Sequence, residues 1–315
     1  MNKYKAVNGS YLTRALAISF VVMNHSSSTN FGGGMNFLLL LAGYNFANFS
    51  FSKSTLGVNK DLLKMNLTIL IPSYVIVVLS AIYSGKYFWQ ELLLVSNLFK
   101  TGAEKVALVP LWYCQILMQM SIFLAFVFWV TNFSKWNKQH PIFISSLFLA
   151  FGLILNLISG GHFPWEQLPH HHLWNFFLGW LLFAILTEKT FARKVFASVV
   201  AIGAIYLMMG LTIGQHDWLK NRIVIFVALS LLFIWVDKVY LPKPLSVLLH
   251  LIAKATFTIF LCHFTMMYIV EYTFSLDRRF IAQGALTACL TIFSCVTIWV
   301  LYHSTIKTHK RLSSS

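Results

Sequence analysis

The sequence is poor in charge, and above all in acidic residues. Only 10% of its 315 residues are Asp, Glu, Lys or Arg, and Asp and Glu together number 9. A soluble domain carries about 25% charged residues, whereas 58% of this chain is hydrophobic. Because so few polar groups cannot cover a water-facing surface, the composition excludes an ordinary soluble globule.

The few charges are strongly unbalanced. The chain has 24 Lys and Arg against 9 acidic residues, which gives a formal net charge of +15. In membrane proteins basic residues collect at helix ends, where they set topology and meet anionic headgroups. We therefore expect the basic residues to contact membrane lipids and not nucleic acid. A basic site for an anionic ligand is compatible with the same composition.

A metal-ligand pattern is also lacking. The 4 cysteines show no paired spacing, and no His or Cys pair has the spacing of a zinc site. The run from His170 to His172 does not change this, because consecutive helical residues point about 100° apart and cannot chelate one ion together. We expect no metal, and we expect this run to form an outer rim that contacts the acceptor or headgroups.

Long apolar runs are what the sequence has in abundance. They predict an all-α integral membrane protein, a bundle of about ten transmembrane helices of about 20 residues each, because helices satisfy their own backbone groups in lipid. We expect a single membrane-embedded domain over residues 1–315, with an interfacial helix over Tyr87–Leu98, which is too short to span. The predicted spans are Tyr11–Ser26, Gly33–Phe51, Leu62–Tyr83, Val106–Val130, Ile142–Ile158, His172–Leu186, Val195–Thr212, Arg222–Val239, Ser246–Val270 and Phe280–Tyr302.

The loops between these spans predict an orientation. With the N-terminus in the cytoplasm, the cytoplasmic side receives about twice as many basic residues as the opposite side, which agrees with positive-inside counting. The sequence therefore predicts a multi-pass protein of the cell (inner) membrane with both termini in the cytoplasm.

Ionisable side chains inside apolar runs are costly and mark candidate functional sites. Arg14 and His25 stand out, because eleven positions at 100° each return a helix to within about 20° of its start, so both lie on one face, about 16 Å apart along the axis. In an interpretation without catalysis, Arg14 extends to the headgroups and His25 lies at the far interface beside Asn24.

The segment RALAISFVVMNH, from Arg14 to His25, resembles the first-helix motif of the acyltransferase type 3 family, in which ten residues separate an Arg from a His. Later segments resemble the family in the same order. They are MNFLLLLAGYNF, which contains Ala42, Gly43 and Tyr44, LLKMNLTILIPSY with Pro72, LWYCQILMQM with Trp112, and FTIFLCHF with His263.

Three departures from the family pattern accompany the resemblance. Ala42 replaces the usual Ser, and the arginines often found before the third-helix proline are missing, which leaves Lys64 and Asn66. Glutamines replace the acidic residue that some members carry after the fourth-helix Trp. These changes concern the substrate subgroup more than the reaction, because Arg14 and His25 are both present.

The resemblance implies a membrane O-acyltransferase, which transfers groups other than amino-acyl groups. It implies that an acyl group, expected to be acetyl, moves from a cytoplasmic thioester such as acetyl-CoA to a hydroxyl of a glycan, glycolipid or similar acceptor, as in polysaccharide O-acetylation. His25 is implied as general base or as the site of an acyl-imidazole intermediate. Arg14, which is always charged, suits a phosphate of the donor. No tightly bound cofactor is implied; the acyl thioester, on coenzyme A or a carrier protein, is a co-substrate. Acyl chain length, acceptor identity and oligomeric state stay open.

Several further residues are candidates for substrate binding. In the fourth span, Trp112, Gln115 and Gln119 form one stripe whose amides either bond across helices or bind acceptor hydroxyls. His263 either borders the cavity of His25 or bonds to a neighbouring helix, and Lys254 is either an interfacial anchor or a second contact to the donor phosphate. The complete set is Asn24, Tyr44, Lys64, Trp112, Gln115, Gln119, Lys254 and His263.

A function of a different class remains as an alternative. A polytopic transporter or channel would use the intramembrane Arg and His residues as a proton or anion relay. The sequence shows neither repeated halves nor matched broken helices of the kind transporters have, which disfavours this alternative.

Overall fold

The computed structural model describes residues 4–26, 31–51, 53–84, 90, 93, 95–98, 111–130, 133–159, 168–212 and 217–312. Within these ranges the chain is almost entirely helical. The elements are β1 (Tyr4–Asn8), α1 (Gly9–Ser26), α2 (Gly34–Ser50), α3 (Thr55–Ser84), a 3-10 turn (Ser96–Leu98), α4 (Trp112–Val130), α5 (Phe133–Gln139), α6 (Pro141–Ser159), α7 (Pro169–Ile185), α8 (Phe191–Thr212), α9 (Asp217–Trp235), β2 (Lys238–Pro242), α10 (Lys243–Lys254), α11 (Thr256–Phe274) and α12 (Ile281–Leu312).

Six of the described helices are long and apolar enough to cross a membrane, namely α3, α4, α6, α8, α11 and α12. Their outer surfaces are apolar as well: in α3 the side chains of Ile71, Val75 and Ile82 are more than half exposed. Such a surface suits lipid and not water, and the chain is a multi-pass membrane protein. The other four predicted spans fall on α1, α2, α7 and α9, which have 17 to 19 residues. That these four also cross the membrane stays a prediction, as does the total of about ten.

The ninth predicted span, Ser246–Val270, is wrong as one continuous helix. The structure divides it at Ala255 into α10 and α11. The hydroxyl of Thr256 donates to the carbonyls of Ile252 and Ala253, at 3.3 and 2.8 Å, and such bonding back to the preceding turn bends helices. Lys254, at the break, is exposed.

A short antiparallel sheet departs from the all-α prediction. Strand β1 pairs with β2 from Tyr4 opposite Pro242 to Asn8 opposite Lys238. Val7 is fully buried in this pairing, and both segments contain the Val and Tyr residues that favour strands. Each segment is too short for a stable helix, so the pairing satisfies backbone groups that would otherwise lack partners. The Gly9 amide then donates to the Asp237 carbonyl at 2.9 Å, where α1 begins.

The helices form two compact units, Met1–Met35 with Lys220–Ser315, and Asn36–Leu219. We call them the first and the second unit. In the first unit α1 packs against α10, α11 and α12, and α11 packs against α12. In the second unit the main contacts are those of α6 with α7 and of α3 with α4. The single domain over residues 1–315 stays a prediction.

Two glycines allow a very close crossing of α2 and α7 in the second unit. A Cβ atom on Gly43 would lie 1.8 Å from the carbonyl oxygen of Phe176, and one on Gly179 would lie 1.8 Å from that of Leu40. The crossing lies beside a cluster of aromatic side chains in which Phe46 contacts Trp180 edge to face at 5.1 Å between centroids. The glycine of the Ala42-Gly43-Tyr44 segment therefore has a packing role.

Candidate active site

His25 and His263 meet in the first unit. Their ring centroids lie 5.5 Å apart, and the ring of Phe264 contacts both, at 4.6 Å from His25 and 4.5 Å from His263. His25 is half-buried and Asn24, the preceding residue, is half-buried too, whereas His263 is fully buried. The structure thus brings together two sequence-predicted histidines from helices more than 200 residues apart in the chain.

The tautomer of His263 follows from its hydrogen bonds. Nδ1 lies 2.7 Å from the carbonyl oxygen of Phe260 and 3.2 Å from that of Ile259. A carbonyl oxygen can only accept, so Nδ1 carries the proton and the neutral ring has its lone pair on Nε2. Nε2 is buried and has no partner among the described residues. This buried acceptor atom belongs to the ring that lies beside His25.

A turn of three glycines brings Arg222 to the same end of α1. The Gly32 backbone lies against the Arg222 side chain, since a Cβ atom there would be 2.8 Å from Nε. Gly33 has a φ of +96°, and a Cβ on it would be 2.5 Å from the Arg222 carbonyl oxygen. A Cβ on Gly34 would be 2.4 Å from the carbonyl oxygen of Ala17 in α1. At Gly33 and Gly34 the close atoms are backbone carbonyl oxygens, so these two approaches require glycine, and the turn lies between the Arg222 backbone and α1.

A second arginine reaches this end from the loop after α11. Nη1 of Arg278 donates to the carbonyl oxygen of His25 at 3.5 Å, and its Nε lies 3.7 Å from Oε1 of Glu271. Both Arg278 and Arg222 interact electrostatically with the His25 ring. Positive charge from two separate elements therefore surrounds the end of α1 that carries His25.

The neighbouring Arg279 is engaged differently. Its guanidinium donates to both carboxylate oxygens of Asp277, at 2.6 to 3.0 Å, and the bond holds the pKa of that carboxyl below its usual range. Arg278 and Arg279 are adjacent in sequence, yet only Arg278 contacts His25.

Arg14 lies toward the opposite end of α1. It is half-buried and has no hydrogen-bond or ion-pair partner in the part of the chain that the structure describes. One turn before it, Tyr11 stacks on His250 of α10 at 4.9 Å between centroids. Lys254 follows His250 by one turn at the end of α10. Arg14 and Lys254 therefore flank one stacked pair, although no contact joins them to His25.

The amides of α4 bond within the second unit. Gln115 is fully buried; its Oε1 accepts from the Asn97 backbone N–H at 2.9 Å and its Nε2 donates to Ser96 Oγ at 2.7 Å. Gln119 and Asn97 exchange two amide hydrogen bonds, at 3.0 and 2.9 Å. These bonds match the interpretation in which the amides bond across elements. Binding of acceptor hydroxyls stays a prediction.

The remaining candidates of the second unit are Tyr44, Trp112 and Lys64. Tyr44 contacts Phe183 edge to face at 5.3 Å, and Trp112 contacts His172 at 5.4 Å. Lys64 is exposed on α3. Half of the predicted interfacial segment Tyr87–Leu98 lies outside the described residues.

Sequence reasoning missed Arg222 and Arg278 as part of the site. Both lie at predicted helix ends, where a basic residue is normally interpreted as a topology signal. The signal that could have found Arg222 is the run Gly32-Gly33-Gly34, because three successive glycines indicate a close backbone approach.

Comparison with known families defines the class of protein. The family model described as an acyltransferase domain, that of acyltransferase type 3, matches residues 9–303. The chain belongs to this family and is a membrane acyltransferase. No curated protein and no solved structure matches the chain significantly.

Proposed function

We propose that the chain transfers an acyl group, with acetyl as the expected case, from a cytoplasmic thioester such as acetyl-CoA to a hydroxyl of a glycan, glycolipid or similar acceptor. The observation that supports this most directly is the contact of His25 with His263. His25 lies on the helix with the Arg and His spacing that the chain shares with its family, and membership of an acyltransferase family favours this function over a transporter.

In this proposal His25 accepts the proton of the acceptor hydroxyl while the hydroxyl oxygen attacks the thioester carbonyl carbon. The new C–O bond forms, the C–S bond breaks, and the leaving thiolate takes the proton that His25 held, so the products are an ester and a thiol. In a second order of events, His25 attacks the thioester first and the acyl-imidazole then acylates the hydroxyl, with the same products.

In this proposal Arg14 and His25 contact different parts of the donor. They share one face of α1, about 16 Å apart along the axis, so a phosphate at Arg14 and a thioester at His25 are joined by the extended pantetheine arm. With the Arg14 end toward the cytoplasm of a cell (inner) membrane, the donor enters there. Reporter fusions at both termini test this orientation, and an external C-terminus would contradict it.

The central test uses radiolabelled acetyl-CoA, the purified full chain in liposomes, and an extract of source-cell lipids and glycans as acceptor. We expect His25→Ala to lower the transfer rate about 10²- to 10⁴-fold, the range for loss of a general base. We expect Arg14→Ala to raise the KM for the donor about tenfold or more, because a charge-assisted hydrogen bond contributes about 1.5–3 kcal/mol.

Matched controls remove the same residue types elsewhere. His303 is exposed on α12 beside Trp299, and Arg279 is paired with Asp277; we expect alanine at either position to leave transfer unchanged. Transfer that survives both the His25 and the Arg14 substitution would contradict the proposed site. Ion flux that is lost in these variants, without any acyl transfer, would favour a transporter.

The order of events has its own test. When the labelled donor is mixed with protein and no acceptor, rapid quenching and peptide mapping measure label on His25. Stoichiometric label that the acceptor then removes supports the acyl-imidazole, whereas absence of label on a protein that transfers rapidly supports direct attack.

A further inference from the structure

Two threonine hydroxyls of α12 are buried without a partner. Thr287 and Thr291 are both 0% exposed, and neither Oγ1 atom has a hydrogen-bond partner in the part of the chain that the structure describes. Within a membrane an unpaired buried hydroxyl is costly, because no water is present to bond it. Two such groups, four residues apart and therefore neighbours on one helix face, require an explanation.

The usual way to satisfy such a hydroxyl is not used at these two positions. A Thr hydroxyl in a helix can donate to a carbonyl of the preceding turn. Farther along α12, Thr297 does this, since its hydroxyl donates to the Phe293 carbonyl at 3.0 Å. The Oγ1 atoms of Thr287 and Thr291 are instead available to bond a group outside their own helix.

The packing of α12 shows which way these hydroxyls point. Helix α12 packs mainly against α11 and α1, so a fully buried residue of α12 faces these two helices. Cys295, one turn beyond Thr291, interacts electrostatically with Cys262, which is the residue before His263. The hydroxyls of Thr287 and Thr291 therefore face the two helices that carry the site histidines.

The level of these hydroxyls along the helix indicates which substrate they contact. Thr291 and Thr287 lie about 6 and 12 Å from Cys295 along α12, toward the start of this helix. The loop before that start bonds to the carbonyl oxygen of His25 through Arg278, at 3.5 Å. The arginine proposed to bind the donor phosphates lies toward the opposite end of α1. The two hydroxyls are therefore on the side of the site that is left for the acceptor.

We infer that Thr287 and Thr291 bind hydroxyl groups of the acceptor, so that the acceptor is polyhydroxylated next to the hydroxyl that is acylated, as a sugar ring is. Each Thr hydroxyl can donate one hydrogen bond and accept two, which matches a ligand whose own hydroxyls both donate and accept. The Nε2 atom of His263, buried and without a partner among the described residues, offers another acceptor near His25. This inference rests on the proposed function for its use in catalysis, but the hydroxyl site itself can be measured without catalysis.

The kinetic test replaces each threonine by valine, which has nearly the same shape. Thr287→Val and Thr291→Val remove the unpaired hydroxyls, and the control Thr297→Val removes a hydroxyl whose bond is internal to α12. Rates with radiolabelled acetyl-CoA and the acceptor extract are measured on the full chain in liposomes. We expect the acceptor KM to rise about three- to tenfold in each of the first two variants, as for loss of one neutral hydrogen bond. The KM for acetyl-CoA should not change, and the control should match wild type.

Melting temperatures distinguish acceptor binding from a structural role. Valine in place of an unpaired buried hydroxyl removes a desolvation cost, so we expect Thr287→Val and Thr291→Val to melt at or above the wild-type temperature. A valine variant that melts lower or does not fold would overturn the inference, because its hydroxyl would then be bonded within the protein. Thr287→Ser and Thr291→Ser keep the hydroxyl, and their acceptor KM should stay below that of the valine variants.

Three kinetic results would also overturn the inference. The first is an acceptor KM that is unchanged in both Thr287→Val and Thr291→Val. The second is a rise no larger than that of Thr297→Val. The third is a raised KM for acetyl-CoA at an unchanged acceptor KM, which would assign the two hydroxyls to the donor.

A binding measurement separates this inference from the proposed function. The probes are the methyl glycosides of glucose, galactose and mannose, and saturation-transfer NMR measures their binding to the purified full chain in a detergent without a sugar headgroup. We expect binding to wild type and Thr297→Val, and weaker binding to Thr287→Val and Thr291→Val. Absence of binding to wild type, or equal binding to all four proteins, would overturn the inference. If transfer is absent but binding follows this pattern, the proposed function fails and the hydroxyl site is supported.

Discussion

The glycine turn before α2 gives a sharp prediction, because Gly34 touches the backbone of the helix that carries His25. An added Cβ would lie 2.4 Å from the Ala17 carbonyl oxygen and 3.2 Å from Phe20 Cβ. Close C···O contacts between backbones are about 3.3 Å or longer, so Gly34→Ala must move the turn and α1 apart by about 0.9 Å. The carbonyl oxygen belongs to the backbone and Phe20 Cβ is bonded directly to its own Cα, so neither atom can move away as the end of a flexible side chain would.

A displacement of this size should affect catalysis more than folding. Overpacking costs about 1–3 kcal/mol of stability, whereas misplacement of reacting groups by about 1 Å costs about 100-fold in rate. We therefore expect Gly34→Ala to fold with a lower melting temperature and to transfer acyl groups 10- to 100-fold more slowly at 20 °C, a temperature chosen as about 20 °C or more below melting.

The matched control is Gly203→Ala in α8, where an added Cβ meets no described atom within 4 Å. Alanine is the better helix former there, so we expect unchanged transfer and a gain of about 0.5–1 kcal/mol in stability. The assays are initial rates with radiolabelled acetyl-CoA and melting by intrinsic fluorescence. A Gly34→Ala protein that matches wild type in both assays would refute the reasoning.

Three further predictions concern packing and polar contacts. Gly43→Ala and Gly179→Ala should each lower the free energy of unfolding by about 1–3 kcal/mol, because the crossing of α2 and α7 must open; melting curves that match Gly203→Ala would contradict this. Gln115→Leu removes the bonds to Ser96 and Asn97 and should cost about 1–3 kcal/mol without changing the acceptor KM; a raised acceptor KM at unchanged melting temperature would instead indicate acceptor binding. His263→Phe keeps a ring against Phe264 but removes the Nε2 lone pair, so we expect transfer to fall at least about tenfold with little change in melting, and a wild-type rate would exclude a role for that atom.

The sequence predicted the helices of this chain better than it predicted the helix break at Ala255 and the β1–β2 pairing. The predicted spans fall largely on described helices, because apolar runs of this length have few other stable forms in lipid. Three of them differ in part: Arg222–Val239 runs past the end of α9 into β2, Ser246–Val270 is divided at Ala255, and residues 106–110 of Val106–Val130 lie outside the described residues. The break at Ala255 was missed because the residues around it are as apolar as those of a continuous helix, and only the Thr256 hydroxyl marks the bend. The β1–β2 pairing was missed because two segments of 5 residues each, far apart in the chain, give no local periodic signal.

The sequence predicts site residues where an ionisable side chain lies within an apolar run. Arg14 and His25 stand out in the sequence as costly groups on one face, and His263, for which the sequence left open whether it borders the cavity of His25 or bonds to a neighbouring helix, lies beside His25 in the structure. Arg222 and Arg278 were not distinguishable from topology-setting charges, since their approach to His25 depends on a turn and a loop. The partners of Gln115 lie in a short segment whose amide and hydroxyl groups carry no helical pattern.

The β1–β2 pairing has a consequence for the synthesis of the protein. Asn8 pairs with Lys238, and three helices that pack against α1, namely α10, α11 and α12, follow β2 in the chain. A ribosome that adds about 5–20 residues per second needs about 10 to 50 s between these two positions. During that interval the helix with His25 is already made but none of α10, α11 and α12 exists. The helix that carries His25 therefore lacks these three packing partners until the last quarter of the chain arrives, and under the proposed function a nascent chain cannot transfer an acyl group before then.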